Sequence, residues 1–404
     1  MSLYQKASLV QIPSGYKAAD AKLYSVVPNS GDGDFTVSSD ADATRVNKDG
    51  LVETTVANQA RLNYNFIDGV VQPDPHLLLE PTRTNYATNN SSMDTYGTVG
   101  GSSPSPTLTA DYTTAPDGSS TATRFQATVT GSNYSLIQFP STALGDGTYY
   151  ISVYAKSNTG SNQTISFYGN NSTTNAHTVT TEWTRVIVEA TRGSGLTKYA
   201  FLGTWASQHG SDASIDISLW GAQIEVDSNY STSLIPTLGS AVTRTEDNVQ
   251  IASGAGDIIG SQNEGTLFID LEIPYDTDST EYFQFCISDQ VSTANRVLFN
   301  FISGEVRFQV LYGGGSGQGF CNTSTPKNTR LKIAGSYKTN EFVLYKNGSL
   351  ADTIDTTGVI DFTTQMETLR FADFGNGKKF QAKVYQMMFF KEALTQSELI
   401  KLTS

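Results

Sequence analysis

The chain has little charge and almost no cysteine. Of its 404 residues 16% are charged, with 26 Lys and Arg against 39 Asp and Glu, a formal net charge of −13. Nucleic acids are gripped through their phosphates by clustered cations, so this balance excludes them as partners. Only Cys286 and Cys321 occur. A disulfide framework needs more, at closer spacing, and both read as small buried hydrophobes. His76, His177 and His209 stand far apart and follow no metal-ligand spacing. No apolar run approaches the ~18 residues of a membrane-spanning helix, so no membrane insertion is expected. The N-terminal MSLYQKASLVQIPSG lacks the continuous apolar stretch of a secretory signal. The expectation is a chain made in a cytoplasm and used after assembly.

What fills the space instead is Gly, Ser, Thr, Asn and aromatic residues, with 20 Tyr, 20 Phe and 3 Trp. Alternating runs such as Tyr149 to Tyr154, Thr184 to Val188 and Leu267 to Ile273 are bounded by Gly, Asn, Asp or Pro, which is the signature of half-buried strands. Lys346-Asn347-Gly348-Ser349 reads as a hairpin turn, because Asn-Gly tolerates the positive φ of a type I′ turn. A helix is predicted at Thr395 to Leu402, with Thr395 and Glu398 as a capping box and Leu394, Leu399 and Leu402 packing on a sheet. A second helical stretch, Lys17 to Leu23, carries a weaker signal.

At ~150 residues per domain the length suggests about three units. Residues 1–85 have many turns and few apolar positions, and are expected to be an extended or partly docked segment for attachment or oligomerisation. Residues 86–248 and 249–404 each hold enough strands for a sandwich. The fold class is therefore all-β: two β-sandwich (jelly-roll) domains behind an irregular N-terminal segment, with a short C-terminal helix. Two similar tags, LLLEPTRTNYA (Leu77 to Ala87) and WGAQIEVDSNYSTSLIPTLGSAVTRT (Trp220 to Thr245), bracket the first sandwich. Each joins a short apolar strand to a Pro-Thr turn and a Thr-Arg-Thr triplet.

These residues resemble a family of bacteriophage virion proteins of the tail-fibre and appendage type. GDFTVSSDADATRVNKDGLVE (Gly33 to Glu53), ARLNYN (Ala60 to Asn65) and LLLEPTRTN carry the N-terminal likeness, with Val52, Thr82 and Ser39 standing where the family has Ile, Gln and Arg. The middle part is similar to a carbohydrate-binding-module-like jelly roll, through APDGSSTATRF, GTYYISVYAKS and EWTRVIVEAT. The last part is similar to laminin-G and concanavalin-A-like lectin domains, through LKIAGSYKTNEFVLYKNGSLADT and KVYQMMFFKEALTQSELIKL. The resemblance implies a virion location, other virion proteins as partners, a homo-oligomer with a trimer favoured, and host cell-surface glycan as ligand.

The lectin fold also hosts glucanases, and Phe268-Ile269-Asp270-Leu271-Glu272 is the nearest match to their carboxylate strand. A retaining glycosidase needs two carboxyl groups ~5–5.5 Å apart. Here Phe268 fills the nucleophile-like position, and Asp270 and Glu272 read as the solvated face of an alternating strand. The protein is accordingly read as no enzyme. No cofactor is required; calcium is the one metal admitted, with Asp276 and Asp278, and separately Asp32 and Asp34, as ligand candidates, although calcium takes roughly six to eight oxygens. Sugar needs exposed aromatic rings. Trp183 and Trp220 lie in strand-like runs and read as core, whereas Trp205, in Gly203 to His209, and Tyr312, beside the Gly-rich turn Gly313 to Gly319, lie in loops and are the ligand-binding candidates. The rival functions are a head or tail decoration or connector protein that binds no sugar, and a polysaccharide depolymerase.

Overall fold

The computed structural model describes residues 2–13, 21–67, 70–140, 144, 146–169, 176–192, 200–226, 229–260, 263–277, 282–289, 294–313, 316–362, 364–373, 375, 377 and 380–404. The chain is all-β, with antiparallel pairing throughout the strands described below.

The larger sandwich has two eight-stranded sheets. In the first, Glu264–Glu272 lies between Arg330–Lys338 and Ala382–Phe390. Its alternating residues Leu267, Ile269 and Leu271 face inward and are fully buried, as period-two geometry requires. In the second, Phe283–Ser288, Arg296–Ile302, Glu305–Tyr312 and Ser316–Ser324 follow one another as a meander. Between the sheets lies an aromatic core: Phe283 stacks on Phe301 at 4.8 Å, and Phe380 meets Phe283 edge-on at 4.7 Å. Cys286 and Cys321 are unbridged and buried, as expected, and burial pushes their thiols up to about 12 and about 11.

Residues from the N-terminal segment complete both sheets. Leu9–Gln11 pairs with Met387 to Phe389, and His76–Leu79 with Ala382 to Val384, in the first sheet. Phe35–Ser38 pairs with Asn248–Ile251 in the second. Sparse apolar residues make a poor independent core, but a short edge strand needs only one face to bury against a sheet that already exists. Of the stretch expected to be helical at Lys17 to Leu23, residues 14–20 lie outside the described residues, and Lys22–Leu23 is a strand paired with Phe35 and Thr36.

The C-terminal helix forms as read, over Gln396–Thr403. The Glu398 carboxylate accepts from the Thr395 amide at 3.0 Å and from its hydroxyl at 2.7 Å. Leu394 and Leu399 pack with Phe268, Met388 and Phe390 on the outer face of the first sheet. The Asn347-Gly348 turn also forms, with Lys346 paired to Ser349 and φ of 47° and 80° at the two turn residues.

The smaller sandwich has two five-stranded sheets. One runs Gly97–Gly100, Ser135–Gln138, Ala200–Thr204, Gln163–Gly169, Ala176–Val179; the other Thr107–Thr113, Ala122–Thr128, Ser214–Val226, Gly147–Ser157, Thr184–Arg192. Phe125, Ile137, Ile151, Phe167, Leu202 and Ile217 are among the residues that fill the space between them.

The two sequence tags are the stem on which this sandwich stands. Arg83–Asn85 pairs with Val242–Arg244, and Asn89 bridges to Leu238. The chain thus leaves the larger sandwich and returns to it along two adjacent antiparallel strands. At the base of the stem is a buried charge network. Arg61 reaches Glu80 at 2.6 Å and also pairs with Asp247, while Arg244 pairs with Glu80 and donates to the Pro81 carbonyl at 2.7 Å. Ser233 donates to Glu80 at 2.7 Å, and the Glu80 amide donates to Asp247 at 2.8 Å. These charged residues are 1% (Arg61, Arg244), 3% (Glu80) and 6% (Asp247) exposed. Two cations and two anions cancel, which is the condition under which charge can be held out of water.

Candidate functional site

The outer face of one sheet of the smaller sandwich carries a cluster of aromatic rings. Register places Gln138, Phe201 and Tyr168 side by side across three strands. Their neighbours in sequence, Phe167 and Leu202, point into the core and are fully buried, so alternation sends Phe201 and Tyr168 outward. The strand Ala200–Thr204 then runs into Trp205 and a single helical turn, Ala206–His209, closed by Gly210 at φ 71°. This returning loop brings more rings to the same face. Trp205 lies 4.8 Å from Tyr134 and 5.1 Å from His209, and Tyr168 lies 4.7 Å from His209 and 5.4 Å from Phe201. All five rings are half-buried.

The loop is held by its own hydroxyls. The Trp205 amide donates to the Ser211 hydroxyl at 2.8 Å and the Ser166 hydroxyl at 3.1 Å, and the Thr204 hydroxyl donates to the Asp212 carbonyl at 2.6 Å. Burial lowers the His209 pKa and raises that of Tyr168 well above its usual range, so at neutral pH both rings are uncharged. The patch offers flat neutral π-faces with the Gln138 amide beside them. Among the sequence candidates Trp205 alone falls here. Tyr134, Tyr168, Phe201 and His209 escaped sequence reading; the usable signal was an aromatic at the solvent position of an alternating run.

The remaining candidates are scattered. Tyr312 is half-buried at the margin of the larger core, edge-on to Phe362 at 5.8 Å. Asp276 is exposed and pairs with Lys327 at 2.9 Å, and Asp278 lies outside the described residues. Asp34 accepts from the Ser25 amide at 2.9 Å and Asp32 from the Ser30 hydroxyl at 2.7 Å. Among the described residues no three His, Cys, Asp or Glu side chains converge on one point. Trp183 and Trp220 are not in the sandwich core. They lie outside it, where Trp220 packs with Val52, Ala115 and Leu234, and Trp183 and Tyr154 are partly buried beside them. The hairpin Ala43–Val46 and Val52–Thr55 covers this face, and a covered outer face looks like core in a one-dimensional pattern.

Residues 271–400 match the family described as the Concanavalin A-like lectin/glucanases superfamily. No curated protein matches the chain. Solved structures similar to it include the CBM40 of the Ruminococcus gnavus IT-sialidase bound to α2,3-sialyllactose, at 14% identity, TM-score 0.31, covering 37% of this chain and 87% of that one. Another is the binding domain of botulinum neurotoxin DC in complex with rat synaptotagmin II, at 16% identity, TM-score 0.31, covering 39% of each chain.

The lectin-like sandwich places Asp270 and Glu272 differently from the expected solvated face. Asp270 is only 2% exposed. Both its oxygens accept from Arg330, at 2.8 and 2.9 Å, and that guanidinium lies 3.8 Å from the centre of the Tyr385 ring. Glu272 pairs with Lys383 at 2.7 Å, and Lys383 also donates to Asn65 at 2.9 Å. The outer face of this sheet is covered rather than solvated: the C-terminal helix packs over Phe268, and Asn65 lies against Lys383 and Tyr385 beside Glu272. Each carboxylate is committed to a cation.

Proposed function

We propose that the chain is a non-enzymatic, glycan-binding structural protein of a bacteriophage virion, a tail-fibre or appendage component. The observation that carries the binding reading is the cluster of neutral rings around Trp205. Pyranose rings present a face of C–H bonds that packs on such a platform, and hydroxyls that the Gln138 amide and the loop serines can meet. The concanavalin A-like match over residues 271–400 agrees with a binding role, and the ion pairing of Asp270 and Glu272 argues against a depolymerase. The virion assignment rests on the sequence motifs of the N-terminal part. Host-surface polysaccharide is the ligand class, and other virion proteins are the partners.

The test is binding of host-surface polysaccharide fragments to the full chain and to Trp205→Ala. Affinity should fall about tenfold or more, a loss of roughly 1.4 kcal/mol, with the melting temperature unchanged. Unchanged affinity would remove Trp205 from the site. We further propose a homotrimer in which residues 1–85 provide the attachment surface. The two-stranded hairpin Phe66–Ile67 and Val70–Val71 supports this reading, because Ile67 and Val70 are 52% and 61% exposed and apolar residues so placed are suited to a shared interface. Light scattering at micromolar concentration should give three times the chain mass, and Ile67→Lys with Val70→Lys should lower it. A monomer would refute the trimer.

A further inference from the structure

A second cleft, of about 550 Å³, lies where the turn at Asp49 to Leu51 faces the outer sheet of the smaller sandwich. We infer that it is a second saccharide site, for a neutral hexopyranose unit, and that it spans the two parts of the molecule. This inference stands on a different surface from the Trp205 patch and does not depend on it.

One wall belongs to the sandwich. Tyr154 and Lys156 project from the same face of Gly147–Ser157, since they are two residues apart in a strand. Trp183 stands just before the neighbouring strand Thr184–Arg192. These rings are fixed. The Trp183 indole donates to the Thr114 carbonyl at 3.2 Å. Tyr154 lies 5.8 Å from Trp220, and the Arg185 guanidinium lies 5.6 Å from its ring centre. Arg185 is itself held by the Thr232 carbonyl at 2.6 Å and the Ser152 hydroxyl at 2.8 Å.

The opposite wall comes from the N-terminal part, with Leu51, Phe66 and Asp49 facing the cleft. The Asn47 side chain accepts from the Asp49 amide at 2.9 Å and the Leu51 amide at 3.0 Å, which sets the turn. Gly50 has φ +82°, and a Cβ there would come within 2.9 Å of Val71 and 3.0 Å of Phe66. The adjoining hairpin is therefore seated directly on this turn. The Val52 amide donates to the Pro116 carbonyl at 2.9 Å, tying one wall to the other. Both walls are built before any ligand arrives, so little ordering cost remains for binding.

The volume falls in the range of small-molecule sites, which combine apolar walls with a few placed polar groups. Trp183 and Tyr154 supply ring faces for the C–H side of a sugar. The Tyr154 hydroxyl, the Lys156 ammonium and the Asp49 carboxylate make no hydrogen bond or ion pair to the described protein. Sugar hydroxyls donate and accept at once; a carboxylate takes the donated hydrogen and an ammonium supplies one. Opposite charges across the cleft select against a charged unit: a uronate gains at Lys156 and loses at Asp49, and an amino sugar does the reverse.

The experiment uses the full chain carrying Trp205→Ala, so that the first patch is silent. Neutral hexasaccharides of glucose, galactose and mannose, and an oligogalacturonate, are titrated by saturation-transfer NMR and tryptophan fluorescence. At least one neutral oligosaccharide should bind and the uronate should bind more weakly. Adding Asp49→Asn and Lys156→Met, neither of which is buried, should weaken binding about tenfold or more with no change in melting temperature. The inference is overturned if no neutral sugar binds, if the uronate binds best, or if the double substitution leaves affinity intact. Failure of the Trp205 reading shows separately: with Asp49→Asn and Lys156→Met already present, Trp205→Ala would then change nothing.

Discussion

At the residue scale, the groups that matter most to stability are buried charges and one buried imidazole. Burial drives the His76 pKa down to about 3, with Lys383 adding to the effect and Glu80 opposing it. Its Nε2 faces Asn63 at 3.0 Å and its Nδ1 has no hydrogen-bond partner among the described residues. The fold thus holds His76 neutral, below its ordinary pKa near 6.5. Its contribution is fully present above pH 6.5 and is lost as pH falls toward 3, by up to about 1.4 kcal/mol per pH unit. His209 shifts the same way, but it is half-exposed and adds less. Glu80, which burial would raise, is held well below the usual carboxylate range by Arg244 and Arg61; its contribution is present above about pH 4.5 and is lost under stronger acid. Denaturant melts should therefore show stability declining from pH 6.5 to 4.5, and His76→Asn should flatten that slope. An equally steep slope in the variant would refute the assignment. Removing one partner of the network, as in Arg61→Met, leaves buried charge uncompensated and should cost about 3–5 kcal/mol. Trp205 was readable as a loop aromatic, but Tyr134, Tyr168 and Phe201 could not be tied to it, because strand pairing unites residues far apart in sequence; His209 joins them through the helical turn that follows Trp205. Asp270 was misjudged for a related reason: alternation says which face a side chain takes, not what covers that face.

At the element scale, Gly203 deserves a test because the aromatic patch depends on its strand. Its φ is +154°, and a Cβ there would lie 2.3 Å from the Ser135 carbonyl oxygen and 2.9 Å from the Leu136 Cα. Both are backbone atoms of the paired strand and cannot swing aside. Gly203→Ala should destabilise the smaller sandwich by about 2 kcal/mol or more and weaken binding at Trp205, measured by thermal melting and by saccharide titration. A variant with wild-type stability would show that the strands can part at no cost. The C-terminal helix was legible because its determinants are local: a capping box, Leu399 and Leu402 three residues apart, and Leu394 just before the cap. The Asn347-Gly348 turn was legible for the same reason. The strands of residues 1–85 that join the larger sandwich were not, because they form only on a sheet whose other members lie up to 380 positions away, as when Leu9 pairs with Phe389.

At the scale of the whole molecule, the two sandwiches share buried parts. Arg61 and Glu80 from one side of the stem meet Arg244, Ser233 and Asp247 from the other. Tyr230, which follows the last strand of the smaller sandwich, stacks on Tyr275 of the larger one at 5.2 Å with nearly parallel rings. Shared burial couples unfolding, so calorimetry should record one transition for the intact chain. Tyr230→Ala with Arg244→Met should separate it into two. A wild type that already melts in two steps would show the coupling to be weak. Sequence by itself determined the all-β class, the paired tags, the terminal helix and an aromatic loop, since period, turn chemistry and capping act over a few residues. Only tertiary structure decided that the tags zip together into a stem, that both chain ends build one sandwich, and that scattered rings gather on one face. Those outcomes depend on strand pairing at long range, where the free energy comes from surfaces that no local pattern brings together.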